Sequence, residues 1–467
     1  MENISRRDFL KTLGIATAAT AGLAACNNDG ESKTSSEGSS QPIPKDKMTY
    51  RTNPTSGDKV SILGYGMMRL PTKSQPKENG ETEDVIDQEA VNRLVDFALE
   101  HGVNYFDTSP AYCRGLSERS TGIALKRHPR NKFLVATKLS NFDPSTRSRE
   151  ASVEMYRNSF RELQVETIDY MLLHAVGTGD DCMEEYRSRY VDNGILDFLV
   201  EERKAGRIRN LGFSFHGDVR LYDYLLSQHD KYHWDFVQIQ MNYLDWEHAV
   251  QTGSTNANAD YLYSELRKRN IPAVVMEPLL GGRLAKVPDF IVAKLKQREP
   301  ERSVASWAFR FAGTPEGVLT VLSGMTLMEH LQDNLRSYTP LQPLNDDELK
   351  FLDGVADDLF GLNTIPCNDC KYCMPCPYGI DIPAILTHYN KCVNEGNIPR
   401  GQQDDGYRKK RRAFLVGYDR AVPKLRQASH CICCGQCVSH CPQGIKIPRE
   451  LRKIDEFVEE LKQNIEK

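Results

Sequence analysis

The chain has 467 residues, a formal net charge of −4 and 40% hydrophobic residues. This length is sufficient for one large domain and a smaller second domain, and the hydrophobic content is ordinary for a globular protein. Because the charge balance is slightly acidic and no basic stripe is evident, we expect no nucleic-acid partner.

Residues 1–26 are predicted to be an export signal rather than part of the fold. The stretch SRRDFLK carries Arg6 and Arg7, and an apolar run of small residues follows as far as Cys26. The run is too short for a membrane-spanning helix, which needs about 20 residues. The pattern resembles a twin-arginine signal, and the ending LAAC resembles a lipoprotein cleavage site. The resemblance implies export and a lipid anchor on Cys26 in the cell envelope, facing the periplasm. A frayed helical tail is the alternative.

Residues 27–47 are polar and rich in Gly, Ser and Pro, which predicts a flexible linker. From residue 48 to residue 345, eight apolar runs alternate with helical patterns such as EAVNRLVDFALEHG. The runs are SILGYGMMRL, NYFDTS, FLVATKL, DYMLLHAV, RNLGFSFHG, FVQIQMNY, PAVVMEPLL and GVLTVLSGM. They alternate only weakly with polar residues, which indicates strands covered on both faces. We predict an α/β fold, a (β/α)8 TIM barrel. An open doubly wound sheet is the alternative, but no G-x-G-x-x-G motif follows the first strand.

Ionisable residues end three successive predicted strands, at the edge where barrel active sites lie. FDTSPAY supplies Asp107 and Tyr112, ATK supplies Lys138, and LLH supplies His174. Reduction of a carbonyl requires a proton donor, and a nearby ammonium lowers the pKa of a tyrosine from its usual value of about 10. We therefore expect Tyr112 to donate the proton and Lys138 to lower its pKa. Asp107 would hold the lysine, and His174 would orient the carbonyl.

The motifs FDTSPAYCRGLSE, FLVATK, DYMLLH, LGFSF, VQIQMNYLD and EPLLGGRLA resemble those of the aldo/keto reductase superfamily over essentially the whole barrel. The resemblance implies catalytic roles for the four residues above, a small carbonyl or alcohol substrate, and NADP or NAD bound without a Rossmann unit. No Arg or Lys occurs at residues 324–328 to select a 2′-phosphate, so the choice between NADP and NAD stays open. The cofactor-binding positions implied are Ser214 and Gln238 at the carboxamide, Met276 at the ring, Gly281, Gly282, Arg283 and Leu284 at the pyrophosphate, and Ser323, Gly324, Asp333 and Asn334 at the adenosine.

Nine of the 13 cysteines lie in two runs within residues 360–467, which we predict to be a smaller, mostly helical domain. The second run, CICCGQCVSHCP, has the C-x2-C-x2-C-x3-C-P spacing of bacterial ferredoxins, in which the fourth cysteine ligates the other cluster. The first run, CNDCKYCMPCP, ends in the same way, and CPYGIDIP and CPQGIKIP form an internal repeat. We predict two [4Fe-4S] clusters, the first held by Cys367, Cys370, Cys373 and Cys441, and the second by Cys431, Cys434, Cys437 and Cys376. Zinc is the alternative, because C-x2-C pairs also bind that metal.

The sequence thus predicts an exported aldo/keto reductase-type oxidoreductase with a ferredoxin-type iron–sulfur domain that transfers electrons or stabilises the structure. A redox partner protein is compatible with such a domain. A non-catalytic barrel that serves as an electron carrier or binding module is the alternative function. Nicotinamide transfers two electrons as hydride whereas each cluster transfers one, and no flavin motif is evident.

Overall fold

The computed structural model describes residues 42–77, 82–178, 181–251, 257–362 and 364–463. The predicted signal and the linker as far as residue 41 lie outside these ranges. The barrel and the C-terminal helices belong to one compact unit.

Eight parallel strands form the closed barrel that the sequence predicts. All strands in chain order are β1 (Tyr50–Thr52), β2 (Lys59–Ser61), β3 (Leu63–Gly66), β4 (Thr72–Pro76), β5 (Thr82–Ile86), β6 (Tyr105–Asp107), β7 (Leu134–Leu139), β8 (Ile168–Val176), β9 (Ile208–Phe215), β10 (Phe236–Gln240), β11 (Ala273–Met276) and β12 (Val318–Ser323). The barrel runs β3-β6-β7-β8-β9-β10-β11-β12, and β12 pairs with β3 to close it. All eight predicted runs are confirmed as barrel strands.

The barrel interior is filled by side chains rather than open. Tyr170 lies at its centre, with its ring edge-on to Tyr105 and to Phe236 at centroid distances of 5.0 Å each. Leu134 and Ala136, two positions apart on β7, belong to the same buried cluster because strand side chains alternate between faces. Their neighbours on either side in β7 are also buried, against the outer helices. Burial on both faces explains why the strands have nearly continuous apolar sequences.

The helices surround the barrel and then form the C-terminal region. In chain order they are α1 (Gln88–Glu100), α2 (Ser117–Leu125), α3 (Arg149–Leu163), α4 (Cys182–Tyr186), α5 (Ile195–Lys204), α6 (Val219–Ser227), α7 (His229–Tyr232), α8 (Asp245–His248), α9 (Ala259–Lys268), α10 (Asp289–Arg298), α11 (Val304–Gly313), α12 (Met328–Tyr338), α13 (Asp346–Phe360), α14 (Ile382–Asn394), α15 (Tyr407–Ala421) and α16 (Ile447–Gln463). The periodic segment EAVNRLVDFALEHG is confirmed as α1, which Asp87 caps by accepting a hydrogen bond from the Ala90 N–H. No described helix has the length and apolar character needed to span a membrane.

Two antiparallel strand pairs were not predicted. β1 pairs with β2, and Asn53 between them donates its side-chain amide to the Tyr170 hydroxyl (3.4 Å) and to the Asp235 carbonyl (3.5 Å). Both acceptors lie near the N-terminal ends of barrel strands, so this pair closes the end of the barrel opposite the predicted site. The second pair, β4 and β5, is largely exposed. These strands are three to five residues long and carry little apolar sequence to identify them.

The C-terminal region has its own core, while α13 packs on the barrel. Leu352 and Val355 of α13 share a buried cluster with Trp307 and Leu284. Helices α14 to α16 instead pack on one another, and α16 buries one apolar face, comprising Ile447, Leu451, Ile454, Val458 and Leu461. The spacing of three and four residues is that of an amphipathic helix, which makes the cysteine-rich region a mostly helical unit.

Candidate active site and cysteine clusters

The four predicted catalytic side chains come together at the C-terminal ends of the adjacent strands β6, β7 and β8. Asp107 ends β6, Lys138 and His174 lie near the ends of the next two strands, and Tyr112 opens a short 3-10 turn after β6. The Lys138 Nζ donates hydrogen bonds to Asp107 Oδ1 (2.5 Å) and to the Thr108 carbonyl (2.9 Å). The β7 strand thus holds an ammonium beside the carboxylate of its neighbour.

The Lys138–Asp107 ion pair is buried, with the two side chains 0% and 4% exposed. Burial lowers the pKa of Lys138, and the adjacent Asp107 carboxylate pulls it back upward. Burial also raises the pKa of Asp107, against the opposing attraction of Lys138. The second oxygen, Asp107 Oδ2, is buried and has no hydrogen-bond partner among the described residues. The carboxylate therefore depends on Lys138 for its compensation.

The ring of Tyr112 links this ion pair to His174. The Lys138 Nζ lies 4.9 Å from the centroid of the Tyr112 ring, a cation–π contact, and the His174 ring stands edge-on to Tyr112 at 5.6 Å. His174 Nδ1 contacts the hydroxyls of Ser140 (2.6 Å) and Ser109 (3.2 Å), which orient the imidazole. Burial, followed by the charge of Lys138, lowers the pKa of His174 well below 6.5, so this imidazole is neutral.

One sequence-based expectation about Tyr112 is wrong in this arrangement. Lys138 was expected to lower the tyrosine's pKa, but burial raises the pKa of Tyr112 well above 10.0, and nearby Tyr372 and Asp107 raise it further. The ammonium lies over the ring of Tyr112, and the phenol of Tyr372 lies close enough to interact electrostatically with that of Tyr112. The Tyr112 phenol is therefore a protonated group in a dry site.

The residues expected at a nicotinamide carboxamide lie side by side on β9 and β10. Ser214 and Gln238 are register partners, and Ser214 Oγ accepts a hydrogen bond from the Ala175 N–H (2.8 Å). Gln238 Nε2 contacts Met276 Sδ (3.3 Å), whereas Gln238 Oε1 is buried without a partner in the described part of the chain. An amide N–H₂ group would satisfy that oxygen, so this end of the groove fits a carboxamide.

The positions expected at the adenosine are engaged with other residues of the chain. Asn334 Nδ2 donates to Ser323 Oγ (2.9 Å), and Asp333 Oδ2 accepts from the Ser303 hydroxyl (2.6 Å). Gly324 packs against the aliphatic part of Arg69.

The turn expected at the pyrophosphate contacts the segment that leads into the first cysteine run. Gly281 has φ +66° and lies so close to Asn368 that an added Cβ would overlap the Asn368 carbonyl oxygen. Arg283 donates to Thr364 Oγ1 (2.6 Å), and Leu284 is buried. With these contacts in place, the pyrophosphate end of the groove does not fit a dinucleotide.

The eight predicted cysteine ligands lie near one another across the two runs. Cys441 interacts electrostatically with Cys367, Cys370 and Cys373 of the first run. Cys376 interacts with thiols of the second run, and a cavity of about 250 Å³ is lined by Cys373, Cys376, Cys431, Cys434 and Cys437. Cys373 also interacts with Cys437, so the two runs adjoin. Cys433 of the second run is exposed, with its Sγ 3.1 Å from an Arg452 nitrogen. Within the described ranges, no three His, Cys, Asp or Glu side chains form a site for a single metal ion.

Burial opposes the ionisation of these thiols. Burial, followed in smaller part by neighbouring cysteines, raises the pKa of Cys367 to about 11 and that of Cys370 to about 12. Thiolates packed together in such a site require positive metal ions as compensation. The donor set therefore fits iron–sulfur clusters.

Residues 62–357 match the family model described as the aldo/keto reductase family, which covers more than half of the chain. The chain belongs to the aldo/keto reductase family. Residues 366–445 match a 4Fe-4S dicluster domain, and residues 3–24 match a twin-arginine translocation signal sequence.

Relatives of known name support the same assignment over the barrel. The chain is 23% identical to L-galactose dehydrogenase of Arabidopsis thaliana over 323 residues, which are 65% of this chain and 92% of the relative. It is 31% identical to a probable aldo-keto reductase of Glycine max over 167 residues, 34% of this chain and 43% of the relative.

Solved structures of the family share this fold. The holo form of the aldo-keto reductase AKR11C1 from Bacillus halodurans has a TM-score of 0.51 at 24% identity, covering 66% of this chain and 96% of that chain. An aldo-keto reductase from Klebsiella pneumoniae, in complex with NADPH, has a TM-score of 0.50 at 19% identity, covering 66% of this chain and 96% of that chain.

In this aldo/keto reductase, two site residues were missed by sequence reasoning. Tyr372 lies between the cysteines of the first run, and no barrel pattern connects it with Tyr112. Glu277, directly after β11, has φ +56° and a buried Oε2 that has no partner among the described residues. Burial raises the pKa of this carboxyl, and the charge of Arg69 opposes that rise. Only the strand-end position of Glu277 could have identified it.

Proposed function

We propose that this protein is an oxidoreductase that interconverts a carbonyl and an alcohol at the cluster of Asp107, Tyr112, Lys138 and His174. The supporting observation is that a protonated phenol, a neutral imidazole and a buried ion pair lie in contact at the strand ends. These are the groups needed to donate a proton to a substrate oxygen, to hold that oxygen, and to compensate the charge left on the phenol.

The acid–base step follows from these contacts. A carbonyl oxygen placed between Tyr112 and His174 takes the phenolic proton as the carbon is reduced, and alcohol oxidation returns it. The Lys138 ammonium, 4.9 Å from the ring centroid, stabilises the resulting phenolate, while Asp107 keeps the lysine charged. His174 Nδ1 lies 2.6 Å from the Ser140 hydroxyl. In the tautomer proposed here, Ser140 donates to Nδ1 and the Nε2–H donates to the substrate oxygen.

The family resemblance implies NADP or NAD as the redox partner, and a bound nicotinamide supplies or accepts hydride. Gln238 and Ser214 would hold its carboxamide. The groove fits only at that end, because Asn368 lies against the pyrophosphate turn at Gly281.

The C-terminal region is proposed to hold two [4Fe-4S] clusters, which transfer single electrons when bound. The first ligand set is Cys367, Cys370, Cys373 and Cys441, and the second is Cys376, Cys431, Cys434 and Cys437. The pairing of Cys441 with the first run and of Cys376 with the second supports these sets.

We propose that the twin-arginine signal directs export and that Cys26 carries a lipid anchor on the periplasmic side of the envelope. Cys26→Ala should move the protein from the membrane fraction to the soluble envelope fraction. Retention of the variant in the membrane fraction would contradict the anchor.

The proposed activity is tested with Tyr112→Phe in the cluster-loaded protein. We expect turnover of carbonyl and alcohol compounds, with NADPH, NADH or a one-electron dye as redox partner, to fall by roughly 10²–10⁴-fold, the range for a lost general acid. Tyr243→Phe is the matched control, since it also removes a buried hydroxyl, one without a partner in the described chain. Wild-type turnover in Tyr112→Phe with any redox partner would refute the proposed role of this cluster, and absence of turnover in the wild type with every redox partner would favour a non-catalytic electron carrier.

A further inference from the structure

Residues 364–372, here called the cluster loop, lie across the mouth of the barrel. The loop contacts segments that follow three different barrel strands. Arg283 after β11 donates to Thr364, and Arg69 after β3 donates to two backbone carbonyls of the loop. Tyr372 of the loop lies near Tyr112 after β6 and interacts with it electrostatically. The predicted first-cluster ligands Cys367 and Cys370 are part of the same loop. The iron–sulfur region is therefore anchored on the predicted active site.

The position of the loop is that expected for the pyrophosphate of a dinucleotide. The turn at Gly281 lies on one side, and Arg69, which packs against Gly324, lies on the other. Between them, the Asn368 carbonyl touches Gly281 and accepts a hydrogen bond from Arg69 Nη2 (2.7 Å), and the Asp369 carbonyl accepts a second from the same nitrogen (3.2 Å). A guanidinium and a glycine turn are anion-binding elements, and here backbone oxygens of the chain itself bind to them.

The charge at this point also disfavours a pyrophosphate. Glu277 places a buried carboxyl beside the same turn, and burial raises the pKa of that carboxyl. A phosphate at this turn would approach the carboxyl and would make its ionised form still less favourable. The charge of Arg69 lowers the pKa of Glu277 and so partly opposes the effect of burial. The Arg69 guanidinium already donates a hydrogen bond to the Asn368 carbonyl of the loop.

We propose that the cluster loop takes the place of a dinucleotide in this barrel. A substrate bound at the tetrad of Asp107, Tyr112, Lys138 and His174 then receives its electrons singly from a one-electron donor, instead of as hydride from a dissociable nucleotide, and Tyr372 positions the loop beside the tetrad. This inference rests on the carbonyl/alcohol function proposed above. Tyr372 is a positioning residue here, because its side chain lies near the proton donor Tyr112 while its backbone lies between Cys370 and Cys373.

The substrate class follows from the electron count. A carbonyl compound takes up two electrons and two protons to become the hydroxyl compound; Tyr112 supplies one proton and water the other. The electrons come from a one-electron donor, such as a reduced carrier protein, which is oxidised by two equivalents. Because the electrons arrive singly, the half-reduced substrate must delocalise one electron, which an isolated ketone does poorly. The favoured substrates are carbonyls conjugated with a second carbonyl or an aromatic ring.

Two adjacent glycines test whether the loop or a dinucleotide occupies the groove. Gly281 and Gly282 both have positive φ, +66° and +99°, so alanine strains the backbone at either position. A Cβ at Gly281 would overlap Asn368, whereas at Gly282 no described atom lies within 4 Å. We expect Gly281→Ala to alter the electron paramagnetic resonance of the reduced first cluster and leave the second unchanged, with Gly282→Ala giving wild-type spectra. We also expect no saturable binding of NADPH or NADH by the wild-type protein in the range of about 1 μM–1 mM, usual for enzyme substrates. Saturable binding, weakened by both alanines while the spectra stay unchanged, would overturn the proposal.

Tyr372→Phe tests the coupling with minimal disturbance of the fold. The probe is catechol, which is the reduced form of a conjugated dicarbonyl. Catechol bound at the tetrad should shift the electron paramagnetic resonance spectrum of the reduced first cluster in the cluster-loaded wild type. Tyr372→Phe should keep its iron and lose the shift, while the control Tyr378→Phe, 46% exposed in the same repeat, should retain it. A catechol shift that persists in Tyr372→Phe refutes the coupling. If the wild type binds NADPH and Tyr112→Phe abolishes turnover with NADPH, the proposed function stands and this inference fails. If Tyr112→Phe is fully active, the proposed function itself fails.

Discussion

The Lys138–Asp107 pair offers a quantitative test of how the active site is held together. Lys138→Met removes the only cation in hydrogen-bond contact with Asp107 among the described residues and leaves a carboxylate that is 4% exposed. Breaking a buried pair in this way costs about 3–5 kcal/mol, because an uncompensated charge stays buried. Against a total stability of about 5–15 kcal/mol, this is a large fraction. Replacing both members, as in Asp107→Leu with Lys138→Met, should cost much less than the sum of the single changes.

The assay is urea unfolding of four proteins, namely the wild type, Asp107→Leu, Lys138→Met and the double variant. Tryptophan fluorescence monitors the unfolding. The chain has three tryptophans, Trp234, Trp246 and Trp307, and all lie in the barrel, so the signal reports the domain that contains the pair. Additive losses in the double variant would refute the argument, since they would mean that neither charge depends on the other. A loss below about 1 kcal/mol for Lys138→Met would place the pair in the range of exposed salt bridges and contradict its burial.

The cysteine exchange and the histidine give two further predictions. Cys441→Ser should damage the electron paramagnetic resonance signal of the cluster that is lost in Cys367→Ser, and Cys376→Ser should damage the signal of the other cluster. Cys433→Ser should keep its iron. If Cys376→Ser and Cys367→Ser lose the same signal, a cluster held by the four cysteines of the first run is favoured instead. Because the folded-state pKa of His174 is lowered, the unfolded chain binds the extra proton below pH 6.5, so stability is complete above that pH and falls below it, by up to about 1.4 kcal/mol per pH unit. Urea unfolding between pH 5 and 7 should show this slope in the wild type, and an equal slope in His174→Gln would contradict the assignment.

The barrel and the tetrad were predictable because each follows a rule that acts over short stretches of chain. A strand buried on both faces must be apolar throughout, as in β7 and β8, and strand ends bring Asp107, Lys138 and His174 to one edge. The β1–β2 pair escaped prediction because it contributes a few hydrogen bonds rather than an apolar pattern. The contact between Tyr112 and Tyr372 depends on how the cysteine-rich region packs on the barrel within one compact unit, which no local pattern encodes. The same packing buries Tyr112 and explains why the pKa expected for it was wrong.

Two glutamines on β10 show how the same side chain is used for stability at one position and for binding at the other. Gln240, 3% exposed, donates to Asp245 Oδ2 (2.7 Å) and exchanges hydrogen bonds with Gln443 of the C-terminal region. Gln238, 2% exposed, has an oxygen without a partner in the described chain and only a sulfur contact for its nitrogen. A buried polar atom left unpaired costs about 1–3 kcal/mol. Gln238 therefore lowers the stability of the free barrel.

Gln238→Leu should accordingly raise the stability of the barrel, while Gln240→Leu should lower it by about 1–3 kcal/mol because Asp245 and Gln443 lose a partner. The same Gln238 variant should reduce turnover, since an unpaired amide oxygen beside the tetrad is of use only when a bound molecule donates to it. The free energy of unfolding in urea and the turnover of both variants, measured under the conditions used for Tyr112→Phe, test these two expectations. If Gln238→Leu is destabilised as much as Gln240→Leu, its oxygen is satisfied in the free protein. If it is stabilised and fully active, the oxygen has no part in binding, and the expected carboxamide position on β10 is wrong.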